Sequence, residues 1–145
     1  MFEFIRNKRY DCYVSMDVTY GCSHYLTVEW EREVRDYYFL CGSGIYVAGI
    51  LCNGDIYSCL DIERRPELVQ GNIKTDDFVD VWENRFLPFR KDRTQTCRVC
   101  RECEDREFCA ADSMHTWNFD EMEPGLCMKH ILEIRADEEV SDHEM

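Results

Sequence analysis

The residues in this chain best suited to chemistry are its cysteines. Ten stand among 145 residues, and the densest run reads Cys97-x2-Cys100-x2-Cys103-x5-Cys109, with Cys127 further on. A two-residue spacer lets consecutive thiolates turn toward one metal centre, so two overlapping C-x2-C pairs point to sulfur ligation of zinc or of an iron–sulfur cluster. Cys41 precedes a hairpin signal and Cys59 ends its second strand, so strand pairing brings both sulfurs to one end of the hairpin as candidate partners. Arg98, Arg101 and Arg106 sit among these ligands, and their charge is expected to offset that of a thiolate site and lower the thiol pKa values. A disulfide framework is the rival reading. The segment from Met1 to Arg9 mixes Phe and Ile with charged residues and lacks the apolar centre of a secretory signal, so a reducing cytoplasm, and hence metal, is expected.

The elements that must position these thiols are short. Cys12, Val14, Met16 and Val18 alternate with more polar neighbours across Tyr10 to Tyr20, as in a half-buried strand. Glu29 to Tyr38 reads as a short helix or an irregular connection, and its alternating charges as a solvated face. Ile45 to Leu51 and Ile56 to Leu60, joined through Asn53-Gly54, read as a β-hairpin. Phe78, Val81, Trp82 and Phe86 recur at helical spacing after Asp76-Asp77, so an amphipathic helix is expected from about Asp77 to Phe86, closed by Pro88. From Lys91 to Cys127 periodicity is slight and the ligands themselves must supply order. The acidic stretch from about Ala136 to Met145 reads as a frayed tail. The fold class is α+β: a small irregular cluster-binding domain with one hairpin, one amphipathic helix and cysteine-rich loops.

Composition excludes several functions. With 30 acidic against 17 basic residues and a formal net charge of -13, a phosphate backbone would be repelled, so no nucleic-acid partner is expected. The longest apolar run, Ile45 to Cys52, falls far short of the roughly 20 residues a membrane helix needs. Cys12 and Cys22 have no motif spacing and read as small buried hydrophobes, as does Cys52 beside the turn. His24 and His115 read as packing or hydrogen-bonding residues, and Trp82 and Trp117 as core residues shielding the metal centre from water.

In their order and spacing these residues resemble the SPASM domain, the auxiliary-cluster module of many radical S-adenosylmethionine enzymes that modify peptides and proteins. Its motif is C-x(9-15)-G-x4-C, a gap, C-x2-C-x5-C-x3-C, another gap and a final C. Cys41 is followed after twelve residues by Gly54, Gly54-x4-Cys59 fits, Cys100-x2-Cys103-x5-Cys109 fits, and Cys127 matches the last position. Gly71-Asn72-Ile73 and the Val81-Trp82 helix look like the family's usual connection. The resemblance spans Cys41 to Cys127 and implies a SPASM/twitch-like fold.

The resemblance further implies that Cys100, Cys103, Cys109 and Cys127 hold one four-iron four-sulfur cluster. A second cluster would take Cys41 and Cys59 plus the position occupied here by Ser113, where the family has cysteine. Cys97, Cys52, His115 or Ser113 itself are the substitutes, with Cys97 preferred as a thiolate within the same ligand loop. The C-x3-C-x2-C motif of radical S-adenosylmethionine catalysis is absent from the sequence. On this reading residues 1–40 are the tail of a partial barrel or a linker, 41–130 the cluster domain and 131–145 an acidic tail. The chain then relays electrons or organises a substrate beside a radical S-adenosylmethionine catalytic subunit or domain during peptide maturation, and has no activity alone. The alternative is a zinc-stabilised protein-interaction domain.

Overall fold

The structure is a computed structural model, and it describes residues 1–9 and 24–134. The strand expected over Tyr10 to Tyr20, Cys12, Cys22 and the acidic tail lie outside the described residues.

The Asn53-Gly54 turn forms as its residue types require. Gly54 adopts φ +99, a conformation open to glycine at no steric cost, and its N–H donates to the Leu51 carbonyl at 2.9 Å. Asn53 Oδ1 accepts from the Asp55 N–H at 3.1 Å. Across the turn β1 (Gly49–Ile50) pairs antiparallel with β2 (Asp55–Tyr57), with Ile50 opposite Ile56. β3 (Gly71–Asn72) adds to the other edge of β2. The first strand is shorter than expected. Ile45, Tyr46 and Val47 do not extend it; their N–H groups all turn onto the Gly42 carbonyl, at 3.0, 3.1 and 3.0 Å, and local turn bonds win over β propensity.

The amphipathic helix is present but changes pitch. Asp77 caps it, its side chain accepting from the Asp80 N–H at 2.9 Å. α3 (Phe78–Asp80) then widens into a π-helical turn over Val81–Arg85 before Pro88. This places Val81 and Phe86 against Ile56 of the sheet in one fully buried cluster.

The N-terminal α1 (Phe2–Arg9) packs on α2 (Val28–Val34), whose cap is the Thr27 hydroxyl accepting from the Trp30 N–H at 3.3 Å. Ile5, Leu26 and Val34 form their shared core, covered by Met128 and Leu132 of a helical stretch at 128–134. The solvated face expected over 29–36 is corrected at two positions. Glu31 and Arg35 are buried at 1% and 2% exposure and pair at 3.2 Å. Glu31 Oε1 also accepts from the Leu26 N–H and Oε2 from the Phe39 N–H, and Arg35 donates to the His24 carbonyl. Backbone groups with no secondary-structure partner thus find a carboxylate, which is what makes burying the charge tolerable. A small ladder of β4 (Trp117–Asn118) and β5 (Glu123–Pro124) leads toward Cys127.

Candidate metal centre

Each ligand-bearing segment is fixed by a local device. Cys97 caps α4 (Arg98–Arg101), its sulfur accepting from the Cys100 N–H at 3.2 Å. α5 (Arg106–Cys109) ends in a left-handed turn, with φ 50, 65 and 55 at Ala110, Ala111 and Asp112. Three successive non-glycine residues in that region are costly, about 1–2 kcal/mol each, and persist only where surrounding contacts over-determine them. Those contacts are present. The Tyr25 N–H donates to Asp112 Oδ1 at 3.0 Å and the Tyr25 hydroxyl to Asp105 Oδ2 at 3.0 Å, tying both ends of the Cys109 segment to the N-terminal unit. Arg93 donates to the carbonyls of Ala110 and Asp112, at 3.2 and 2.7 Å.

Cys100, Cys103, Cys109 and Cys127 line a single cavity of about 540 Å³, together with Ala111, Leu126 and Ile131. Burial is the first cause pushing these thiols up: Cys109 is raised to about 12, and Cys100 and Cys127 are raised as well. Their mutual proximity adds to it, Cys100 with Cys109 and Cys127, and Cys127 with Cys103. The expected lowering by Arg98, Arg101 and Arg106 is overturned for these three thiols. Arg98 and Arg101 are exposed, only Arg106 reaches the cavity wall, and desolvation of the thiolate dominates.

The other sequence-derived thiols converge next door. Cys97, at 0% exposure, is in one apolar cluster with Ala111, Met114 and Trp117, and Cys41, Cys59 and Cys100 pack against it. Cys97 stands at the border of the two groups, its thiol 2.7 Å from Cys100 Sγ. Ser113 is fully buried beside Cys41: the Met114 N–H points at Cys41 Sγ at 3.4 Å, while Ser113 Oγ bonds His115 Nδ1 at 2.8 Å. His115 in turn meets His24 edge-on, ring centroids 5.4 Å apart, and so makes the hydrogen-bonding and packing contacts expected of it.

Two expectations fail here. Trp117 is in the thiol-bearing cluster, but Trp82 stacks on Phe78 and lies tilted against Phe86, packed on the separate cluster of Ile56, Val81 and Phe86. Cys52 is exposed at the hairpin turn and belongs to no core. Sequence reasoning missed Arg93, Tyr25 and Asp112. Arg93 could have been suspected from its place four residues before Cys97; Tyr25 and Asp112 carry no local signal, because their roles exist only once the N-terminal unit docks.

The donor set fits a polynuclear cluster. Four thiols lining one cavity are the donor type of an iron–sulfur core, whose irons each take one terminal sulfur. All eight cysteines among the described residues are free thiols. Residues 41–104 match the family model of SPASM, an iron–sulfur cluster-binding domain. Over that segment the chain is similar to the SPASM family. The SPASM match takes in Cys41, Cys59, Cys97, Cys100 and Cys103 and covers rather less than half of the chain; Cys109, Ser113 and Cys127 lie beyond it. Comparison with curated proteins and with solved structures finds no match. No helix among the described residues is long and apolar enough to cross a membrane.

Proposed function

We propose that this chain is the auxiliary iron–sulfur module of a radical S-adenosylmethionine peptide-maturation system, acting with a catalytic subunit or domain that carries the C-x3-C-x2-C motif. The observation that carries this reading is the single apolar cavity ringed by Cys100, Cys103, Cys109 and Cys127, which would hold one four-iron four-sulfur cluster. A second cluster would draw on Cys41, Cys59 and Cys97, with Ser113 at the place of the family's further ligand. Bound there, the clusters supply one-electron transfer at potentials set by thiolate ligation, burial and hydrogen bonds. The chain's own residues hold the ligand loops in place: Trp117 and Met114 pack in one cluster with Cys97, against which Cys41, Cys59 and Cys100 lie, and Tyr25 fixes the Cys109 segment.

The test is anaerobic reconstitution followed by iron and sulfide quantification. Wild-type protein is expected to bind at least one full cluster with absorbance near roughly 400 nm, C109A and C127A to lose that complement, and C41A and C59A to retain it while losing any second cluster. Colourless protein that binds zinc with the same cysteines would overturn the reading in favour of a zinc-stabilised interaction domain. For the partner, co-purification with a subunit bearing the catalytic motif, and peptide modification only when both are present, is the expected outcome.

A further inference from the structure

Arg93 belongs to no part of the ligand motif, yet several parts of the site converge on it. Its guanidinium turns inward, donates to the Ala110 and Asp112 carbonyls, and lies over the Trp117 ring with Cζ 5.2 Å from the centroid. It lines a second cavity of about 320 Å³ that also contains Cys41, Ala110 and Arg106. Cys41, Cys109, Asp112 and Cys100 are all near enough to interact with its charge. The left-handed turn it grips is the link between Cys109, a ligand of the first site, and Ser113, which stands in the second. A cation withdrawn from water beside these thiols donates to carbonyls, and the negative charge near it comes from the Asp112 carboxylate and, once ionised, from the thiols. Burial otherwise disfavours it.

We propose that Arg93 is a positioning and charge-compensating residue shared by the two cluster sites: it clamps the left-handed turn between them and raises the reduction potential of the clusters on either side. The inference rests on the iron–sulfur reading above. A thiolate-ligated cluster becomes more negative on taking up an electron, so a fixed positive charge at short range in a low-dielectric setting stabilises the reduced form more than the oxidised one. Lysine keeps the charge but reproduces neither the planar fork nor its stacking on Trp117; methionine keeps the bulk and removes both charge and donors.

The experiment uses the full chain, reconstituted anaerobically, as wild type, R93K, R93Q and R93M. It reads iron and sulfide content first, then midpoint potentials by redox titration followed by electron paramagnetic resonance. Potentials shifted to more negative values in R93M and R93Q, with R93K close to wild type, are expected. If R93M binds no iron, the R93K and R93Q pair gives the same comparison; full loading of R93K beside loss in both neutral variants also supports a need for charge. Unchanged potentials in loaded R93M or R93Q would overturn the proposal, and so would equal loss of iron in all three variants, which assigns Arg93 to packing alone. Wild-type protein that takes up no iron would instead overturn the cluster reading itself.

Discussion

Replacing Glu31 by alanine should come close to unfolding the N-terminal unit, although the residue is far from the motif in sequence. Its carboxylate serves the Leu26 and Phe39 N–H groups at 3.0 and 2.8 Å and neutralises Arg35 at 3.2 Å, both side chains being 1% exposed. Truncation strands two donors, each costing about 1–3 kcal/mol when left unpaired and away from water. It also deletes the carboxylate of a buried ion pair with Arg35, a change that typically costs about 3–5 kcal/mol. These losses overlap, because relaxation around one site relieves the others, but roughly 4 kcal/mol is a fair floor. That is much of the 5–15 kcal/mol a domain commands in total. E31Q, which keeps one acceptor, should lose about half as much, and the apolar pair E31L/R35M, which strands no charge, should fare better than E31A. The measurement is anaerobic urea unfolding followed by circular dichroism. Because Phe39 lies two residues before Cys41 and Arg35 holds the His24 carbonyl beside Tyr25, E31A should also lower iron uptake by the Cys41 group. A loss below about 1 kcal/mol in E31A would refute the argument, since it would mean that water already reaches these groups.

Further outcomes follow from other features. Ala110 sits at φ 50, so A110G should stabilise by about 0.5–1 kcal/mol net of the extra chain entropy, and A110V should destabilise by more than that; thermal melts decide it. The Asp76 carboxylate is held below its ordinary 3.8 first by the Asn72 N–H and then by Arg85. It therefore contributes stability that is present above pH 3.8 and lost as pH falls through its depressed value, so the gap between wild type and D76N should be widest near neutrality and close in acid. Removal of metal should leave a loosely packed protein with a broad melt, and reconstitution should restore a cooperative one; an equally sharp transition without metal would contradict this.

What was legible in the sequence is what short-range chemistry decides. Asn53-Gly54 announces its own turn and Asp77 its own cap, and each stands where expected, while the thiols of the C-x2-C-x5-C run line one cavity. Strand length was misjudged because Ile45 to Val47 look β-forming while the Gly42 carbonyl competes for their N–H groups. Glu31 and Arg35, four apart and charged, are indistinguishable by pattern from an exposed pair; only the docking of irregular backbone around them makes them interior. The Ala110-Ala111 pair would favour a helix, and Arg93 and Tyr25, each acting from a distant part of the chain, help hold the turn in the opposite hand.

The exposure of Cys52 gives the protein a built-in chemical reference. Among the described cysteines it alone is fully open to solvent, while the other seven are buried or half-buried. An alkylating reagent therefore meets one thiol at the tip of a β-turn before it meets any in the cavity walls. Label at position 52 counts molecules, and label at Cys100, Cys103, Cys109 or Cys127 counts opened sites. The ratio of the two, read by mass spectrometry on unfractionated material, measures how many cluster sites stand open without any spectroscopy of the clusters themselves.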